Sequence, residues 1–439
     1  MYSQKTFVMK HIKIHYLLLL AIVFVSGCDN VDELPIVENP TKPNILLIIA
    51  DDLGKDALRG YAEGSIKPNT PNLDALRNSG ITFNNFWAYP TCSPTRASII
   101  TGKYGYRTGV KWASDVLSNN ETTLQKYIND NTNNAYATAI VGKWHLSGSN
   151  RSFNPETMGI DYYAGLITGA VNDYYNWPFT ENGSTSTVSE YATSKFTNLA
   201  IDWINNQSKP WFMWLAYNAP HTPFHLPPNS LHYQGNLPPY TTGGNDIPYY
   251  MAAIEAMDSE IGRLLNSIPQ EERDNSIIIF MGDNGTPAQV AQAPYSNATA
   301  KGTLYQGGIN VPFFVTGKSV ARTGTDNNLV TSSDLFATLS EIAGISIEQI
   351  HDSQSFKTLL SQATTIRNYQ YAEMESGTNN SWTISNGAYK LLVNANGNEE
   401  FYDLSNDPYE QNNLLNGILT TNQRNAKSEL EAELIAIRQ

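Results

Sequence analysis

Five apolar, β-branched runs recur along the chain, at Asn44–Ala50, Ala137–Val141, Trp211–Tyr217, Ser276–Met281 and Val311–Thr316. Unbroken runs of this kind suit strands buried on both faces, which predicts an α/β layer with a large, mostly parallel sheet between helices. Helices are predicted over Thr70–Ser79, Val188–Asn205, Tyr250–Asn266 and Ser332–Ala343, the last stopped by Gly344 in the usual C-terminal cap position. Residues 150–190 and 218–248 are rich in Gly, Pro, Asn and aromatics and are expected to be long loops. Several strands finish in polar residues, which is where such sheets hold their ligands. Beyond residue 350 the pieces shorten, at Tyr369–Met374, Trp382–Ser385, Tyr389–Val393 and Glu400–Leu404, ahead of a helix near Gln423–Ile437. A main domain over 43–350 followed by a C-terminal α+β subdomain over 351–439, an antiparallel sheet carrying one helix, is the economical reading.

Residues 1–27 break this pattern. Lys5, Lys10 and Lys13 precede an apolar run from Tyr16 to Val25, too short to span a bilayer as an ordinary helix and shaped like a signal peptide. The ending Val25-Ser26-Gly27-Cys28 resembles a bacterial lipoprotein cleavage site, so Cys28 is expected to carry the lipid, with 28–42 as an acidic tether. This predicts an exported lipoprotein held at a membrane, in the periplasm or on the outer-membrane surface. Cys28 and Cys92 are the only two cysteines, so a lipidated Cys28 leaves no disulfide to form. The chain of 439 residues carries a net charge of −13, and loss of the three leader lysines makes the mature chain more acidic still. Such a surface argues against nucleic acid as partner, while a local basic pocket remains able to bind a small anion.

Candidate chemistry gathers at strand ends. The run Thr91-Cys92-Ser93-Pro94-Thr95-Arg96 reads as a turn into a helix, with Pro94 suited to the first helical position. That places Cys92 at the positive end of the helix, within reach of the Arg96 guanidinium. Asp51-Asp52 follows the first strand and Asp283-Asn284-Gly285 the fourth. Three carboxylates and an amide form a hard, oxygen-only set that suits Ca²⁺ or Mg²⁺ far better than zinc. Lys143 and His145 lie just beyond the second strand and His221 just beyond the third.

The run CSPTRASIITG resembles the signature of the type I, formylglycine-dependent sulfatases of the alkaline phosphatase superfamily. Gly142-Lys143-Trp144-His145 is similar to that family's GKWH element, Pro220-His221-Thr222-Pro223 to its Pro-His-x-Pro element, and Lys301-Gly302-Thr303 to its downstream lysine segment. The stretch from Phe401 to Leu414 is similar to a common C-terminal element. The resemblance implies an alkaline-phosphatase-like fold and a sulfuric ester hydrolase. It implies oxidation of Cys92 to formylglycine by a formylglycine-generating or radical sulfatase-maturing enzyme, and one divalent cation held by Asp51, Asp52, Asp283, Asn284 and the modified residue 92. A count of six or seven ligands favours Ca²⁺ over Mg²⁺. It further implies that one hydroxyl of the hydrated aldehyde attacks sulfur with help from Asp283. His145 then deprotonates the other hydroxyl to expel sulfate. Lys143, Lys301, Arg96 and the cation hold the sulfate oxygens, and His221, with Lys301 beside it, protonates the leaving alkoxide. One departure is plain: the family often has Glu and Arg where this chain has Gln306 and Asn310, so an ion pair is expected to be missing there.

The resemblance does not reveal the alcohol. Arg107, Arg151, Asn172, Asp173, Tyr174, Tyr175, Trp177 and His225 are the candidate substrate contacts, a polar and aromatic mix suited to the sugar of a sulfated oligo- or polysaccharide. Phosphomonoesters, phosphodiesters and phosphonates are the alternative substrates within the superfamily. A non-catalytic glycan-binding lipoprotein is the alternative outside enzymes.

Overall fold

The computed structural model describes residues 42–439 apart from 114, 149 and 150. Cys28 and the leader therefore lie outside the described residues, and 42–439 form one compact unit.

Ten strands make the main sheet: β1 Asn44–Ala50, β2 Ile81–Trp87, β3 Ala137–Lys143, β4 Tyr162–Leu166, β5 Trp177–Glu181, β6 Ser184–Val188, β7 Trp211–Ala216, β8 Ser276–Gly282, β9 Phe313–Gly317 and β10 Gly324–Thr331. Their spatial order is β10-β2-β9-β8-β1-β7-β3-β4-β5-β6. The central β8, β1, β7, β3 and β4 run parallel. Strand β9 runs antiparallel to β8 and β2, and β5 and β6 form an antiparallel edge. Every residue of β1, β3, β7 and β8 is buried, as unbroken apolar runs require. One core lies on each face of the sheet, the first packed with the Ala192–Asn205 and Ile247–Ser267 helices, the second with Cys92–Thr101 and Asp334–Ile342.

The predicted helices are present, each within a few residues of its expected ends; the first runs Pro71–Asn78. Two expectations change. The stretch 150–190 is not a loop throughout, because it supplies β4, β5 and β6. The Cys92–Thr101 helix begins at Cys92 itself, so Pro94 occupies its third position. Proline is accepted there because the first four helical N–H groups have no intrahelical partner.

After a two-residue hairpin, β11 Gln349–Ile350 with β12 Ser353–Gln354, the chain forms a four-stranded antiparallel sheet: β13 Gln370–Ser376, β14 Asn379–Ser385, β15 Tyr389–Val393 and β16 Glu399–Asp403. The Thr421–Arg438 helix, opened by a Thr420–Gln423 capping box, covers one face and buries Leu430 and Leu434 against Tyr371, Ile384, Leu391 and Phe401. Among the described residues no helix is long and apolar enough to cross a membrane.

Candidate active site

Strands β1 and β8 are parallel neighbours with Ala50 opposite Gly282, so the residues that follow them emerge side by side. The Asp51 amide donates to Ala219 O at 3.1 Å and the Asp283 amide to Ala50 O at 3.0 Å, which fixes both turns. Asp52 has a left-handed backbone, φ 67°, a conformation that Asp tolerates better than bulkier residues. Its amide donates to Asp283 Oδ1 at 3.0 Å and its carbonyl accepts from the Tyr250 hydroxyl at 2.7 Å.

The Cys92–Thr101 helix is tied to the same point. Thr95 Oγ1 donates to Asp283 O at 2.7 Å, and Ser93 Oγ lies 2.8 Å from both Ala113 O and His145 O. Arg96 is wholly buried: Nη1 donates to Lys143 O and Nη2 to Asp283 Oδ2, each at 2.7 Å, with Asp51 Oδ1 at 3.9 Å. Its guanidinium thus cross-links β3, β8 and the helix. Lys143 Nζ, also buried, bonds Asp51 Oδ2 at 2.6 Å, and the partly exposed Lys301 Nζ bonds Asp52 Oδ1 at 2.5 Å. His221 Nε2 faces Asp52 Oδ2 at 3.7 Å, while Nδ1 lies 2.6 Å from Thr222 O. A carbonyl only accepts, so Nδ1 carries a proton and Nε2 is the nitrogen free to give or take one.

Ligand-type atoms of Asp51, Asp52, Cys92 and His221 all lie within 4.8 Å of one another. Asn284 Nδ2 donates to Asp52 Oδ1 at 2.8 Å. Asn284 Oδ1 and Asp51 Oδ1 are buried with no hydrogen-bond partner. Two unsatisfied buried oxygens are costly unless something positive meets them, so this donor set fits a hard cation. Asp283, expected as a ligand, has both oxygens engaged by Arg96 and the Asp52 amide, and His221, expected as the acid, reaches into the cluster.

The charges set one another's protonation. Burial alone would raise the Asp51 carboxyl, but Lys143, His221, Arg96 and Lys301 hold it well below the usual range. Asp283 is pushed up by burial and by the Asp51 charge. His145 is driven well below an ordinary histidine by burial and by Lys143 and Arg96, and is therefore a neutral base at pH 7. His221 is also lowered by burial, which Asp52 opposes. The Cys92 thiol, free and buried, is pushed up to about 12 by burial, which outweighs Lys143 and Lys301.

The candidate substrate contacts divide. Trp177 is fully buried, packed on Phe179 and Phe196 with its indole N–H bonded to Glu190 O, and so belongs to the core rather than to a pocket wall. Arg107 pairs with Asp352 at 3.0 Å and lies over the Tyr106 ring, engaging the hairpin rather than the carboxylate cluster. Tyr174 is also buried, but its hydroxyl donates to Asn218 O or His221 O, at 2.8 and 2.7 Å, and so steadies the His221 turn. His225 stacks on Tyr174 at 3.7 Å. Asn172, Asp173, Tyr175 and Arg151 are exposed, Asp173 capping the Tyr175 amide. Ser93, Tyr250 and Gly169, the last leaving room for the His145 ring, are positioning residues that the sequence did not point to; only Ser93 stands inside a motif.

This sheet, with acids at the ends of β1 and β8 and a cysteine opening the helix between them, defines the class. The sulfatase family profile matches residues 43–345, and the chain belongs to that family, within the alkaline phosphatase superfamily. A second profile, N-sulphoglucosamine sulphohydrolase C-terminal, matches 299–439. The chain is 30% identical to the uncharacterized sulfatase YdeN of Escherichia coli over 70% of its own length and 63% of that protein's. It is 29% identical to mouse arylsulfatase G over 70% and 66%. The chain thus spans just under two thirds of these two relatives. Against the ulvan-active sulfatase of Formosa agariphila it is 27% identical, covering 91% of this chain and 82% of that one. Among solved structures, Ps i-CgsB superposes with a TM-score of 0.75 at 25% identity, covering 86% of this chain and 89% of that one. BT4656 in complex with D-glucosamine-2-N,6-O-disulfate gives 0.74 at 21% identity, 91% and 98% covered, a likeness of fold.

Proposed function

We propose that this protein hydrolyses sulfate esters of a sulfated carbohydrate, with residue 92 as nucleophile after oxidation of Cys92 to formylglycine. The observation that carries this is the meeting of Cys92, Asp51, Asp52 and His221 at one point, ringed by Lys143 and Lys301. Asp51, Asp52, Asn284 and residue 92, with Asp283 and His221 beside them, would hold one divalent cation, Ca²⁺ in preference to Mg²⁺. Bound there, the cation supplies positive charge to the sulfate oxygens. The formylglycine hydrate supplies two hydroxyls, one to bond sulfur and a second whose loss of a proton expels sulfate.

The chain's own residues do the rest. Lys301 and Lys143 present ammonium groups on two sides of the site and orient a tetrahedral anion. With its Nδ1–H fixed on Thr222 O, His221 takes a second proton on Nε2, beside the Asp52 carboxylate, and gives it to the departing sugar oxygen, returning to the neutral ring. His145, kept neutral, accepts a proton. The sugar assignment is supported by relatives whose names record ulvan activity or a bound disulfated glucosamine. A maturation enzyme of the formylglycine-generating or radical type acts on Cys92. The mature chain is anchored through lipid at Cys28, in the periplasm or on the outer-membrane surface.

Three measurements test the reading. Peptide mass spectrometry across Cys92, on protein from its native host, is expected to show the aldehyde. Cys92→Ala is expected to fold normally and to lose turnover of an aryl sulfate. A panel of sulfated oligosaccharides identifies the sugar. Faster turnover of aryl phosphate than of aryl sulfate, or near-normal hydrolysis by Cys92→Ala, overturns it.

A further inference from the structure

A second polar cavity, of about 400 Å³, opens where the main sheet meets the C-terminal sheet. Its lining includes Lys55, Tyr61, Glu63, Trp87, Asn310 and Tyr409, and none of the carboxylates or cations of the active site. Lys55 is the unusual member. It is 4% exposed, and its ammonium donates to Asn84 O at 2.5 Å and Asn310 Oδ1 at 2.7 Å, 5.5 Å above the Tyr61 ring. Among the described residues it has no carboxylate within ion-pair distance, and one of its three N–H donors is uncommitted.

The hydrogen-bonding neighbourhood around Lys55 is neutral. Asn310 Nδ2 donates to Gln306 Oε1 at 2.7 Å, so Lys55, Asn310 and Gln306 form a relay where the family often has an Arg and a Glu. The relay therefore holds one cation and two neutral amides, with no carboxylate in it. Burying a charge without its counter-ion is costly, and an anion entering the cavity would relieve that cost. Burial already pushes the Lys55 ammonium down to about 8, against the opposing charge of Glu63.

We propose that this cavity is a non-catalytic binding site for an acidic sugar. The sugar's carboxylate meets Lys55, its hydroxyls donate to Glu63 and the neighbouring amides, and its ring lies against the partly exposed Tyr61 and Tyr409. The mixture favours a saccharide over a bare inorganic anion, because the aromatic faces and the hydroxyl-accepting Glu63 have no use in holding a small anion but serve a polyhydroxylated ring. The site goes beyond the hydrolytic reading and stands independently of it, since its ligand needs no sulfate.

The test is isothermal titration of the full chain with sodium glucuronate, glucose and sodium sulfate. Glucuronate is expected to saturate one site in the millimolar range, with glucose weaker by about tenfold or more. Lys55→Met is expected to weaken glucuronate by a similar factor. Tyr409→Ala, at the rim, tests the aromatic contact if Lys55→Met does not fold, and is likewise expected to weaken glucuronate. The proposal is overturned by absence of glucuronate binding, by glucose binding as tightly, or by glucuronate affinity unchanged in Tyr409→Ala. Competitive displacement of glucuronate by sulfate at equal concentration reveals a simple anion site and overturns it too.

Discussion

The imidazole of His145 fills the space that a side chain at position 169 would need: a Cβ built on Gly169 would lie 2.2 Å from His145 Nε2. The histidine is constrained on its other sides as well. Its backbone is left-handed at φ 58°, its amide donates to Ile167 O at 3.0 Å, and its carbonyl lies by Ser93 Oγ. A ring held this closely cannot tilt away from an added methyl without leaving its place.

Gly169→Ala is therefore expected to displace the ring while sparing the fold. A displacement of about 1 Å in a group that must accept a proton in flight costs on the order of 100-fold in rate. Steady-state kinetics on an aryl sulfate should show the loss in kcat with little change in KM, and thermal melting should show a nearly native Tm. Unchanged kcat would mean that His145 has no part in turnover.

The orphaned oxygens of Asp51 and Asn284 give a prediction independent of activity. Protein stripped with a chelator and then supplied with Ca²⁺ at about 100 times its Kd should gain about 2.7 kcal/mol of stability, read as a rise in Tm. Asn284→Ala removes one of the two oxygens and is expected to lower the Ca²⁺ concentration response several-fold. A Tm indifferent to Ca²⁺ and Mg²⁺ alike would remove the cation from the account.

Much of this site was legible in the sequence because its residues sit where chain direction changes. Asp51, His221 and Asp283 follow, and Lys143 ends, a strand whose apolar run is unmistakable, so the sheet's topology alone brings them to one edge. The strands that escaped notice lack such runs. In β2 the pair Asn84-Asn85 interrupts the apolar pattern, β10 carries Asp326-Asn327-Asn328, and β6 is an exposed edge of Ser and Thr. The substrate-contact candidates were the least legible. An aromatic in a polar stretch reads the same whether it packs, as Trp177 does, or stands exposed like Tyr175. Positioning by Gly169 has no sequence signal, since it depends on what lies where a side chain is absent.

One buried ion pair ties the C-terminal sheet to the main domain, and no local pattern announces it. Lys390, on β15, pairs with Glu410, and both are buried; Lys390 Nζ also donates to Leu304 O at 2.6 Å, and Glu410 Oε2 accepts from the Gln306 amide at 2.5 Å. The C-terminal sheet thereby clamps the segment that follows Lys301. Lys390→Met leaves Glu410 buried without its cation and is expected to cost about 3–5 kcal/mol in urea denaturation. Replacing both partners, Lys390→Met with Glu410→Met, should recover much of that stability without restoring full activity, because the Leu304 and Gln306 anchors remain lost. Full activity in the stable double variant would show that the clamp does not position Lys301.

His225 offers a pH test away from the candidate metal ligands. Its ring stacks on Tyr174 and meets the Tyr191 hydroxyl at 3.1 Å. Burial lowers it from 6.5 to about 4, against the opposing pull of the Pro223 carbonyl and Asp173. Because the folded-state value is the lower one, the unfolded chain binds the extra proton between pH 6.5 and 4. The stabilising contribution is thus complete above pH 6.5 and is lost as pH falls toward 4. A shift of this size is worth at most about 3 kcal/mol, less where water reaches the ring. Urea denaturation of the wild type should therefore weaken more steeply between pH 7 and 4 than that of His225→Gln, whose amide does not titrate. Parallel curves for the two proteins would show that the imidazole is already as basic in the fold as in the unfolded chain, and that its stack on Tyr174 does not exclude water.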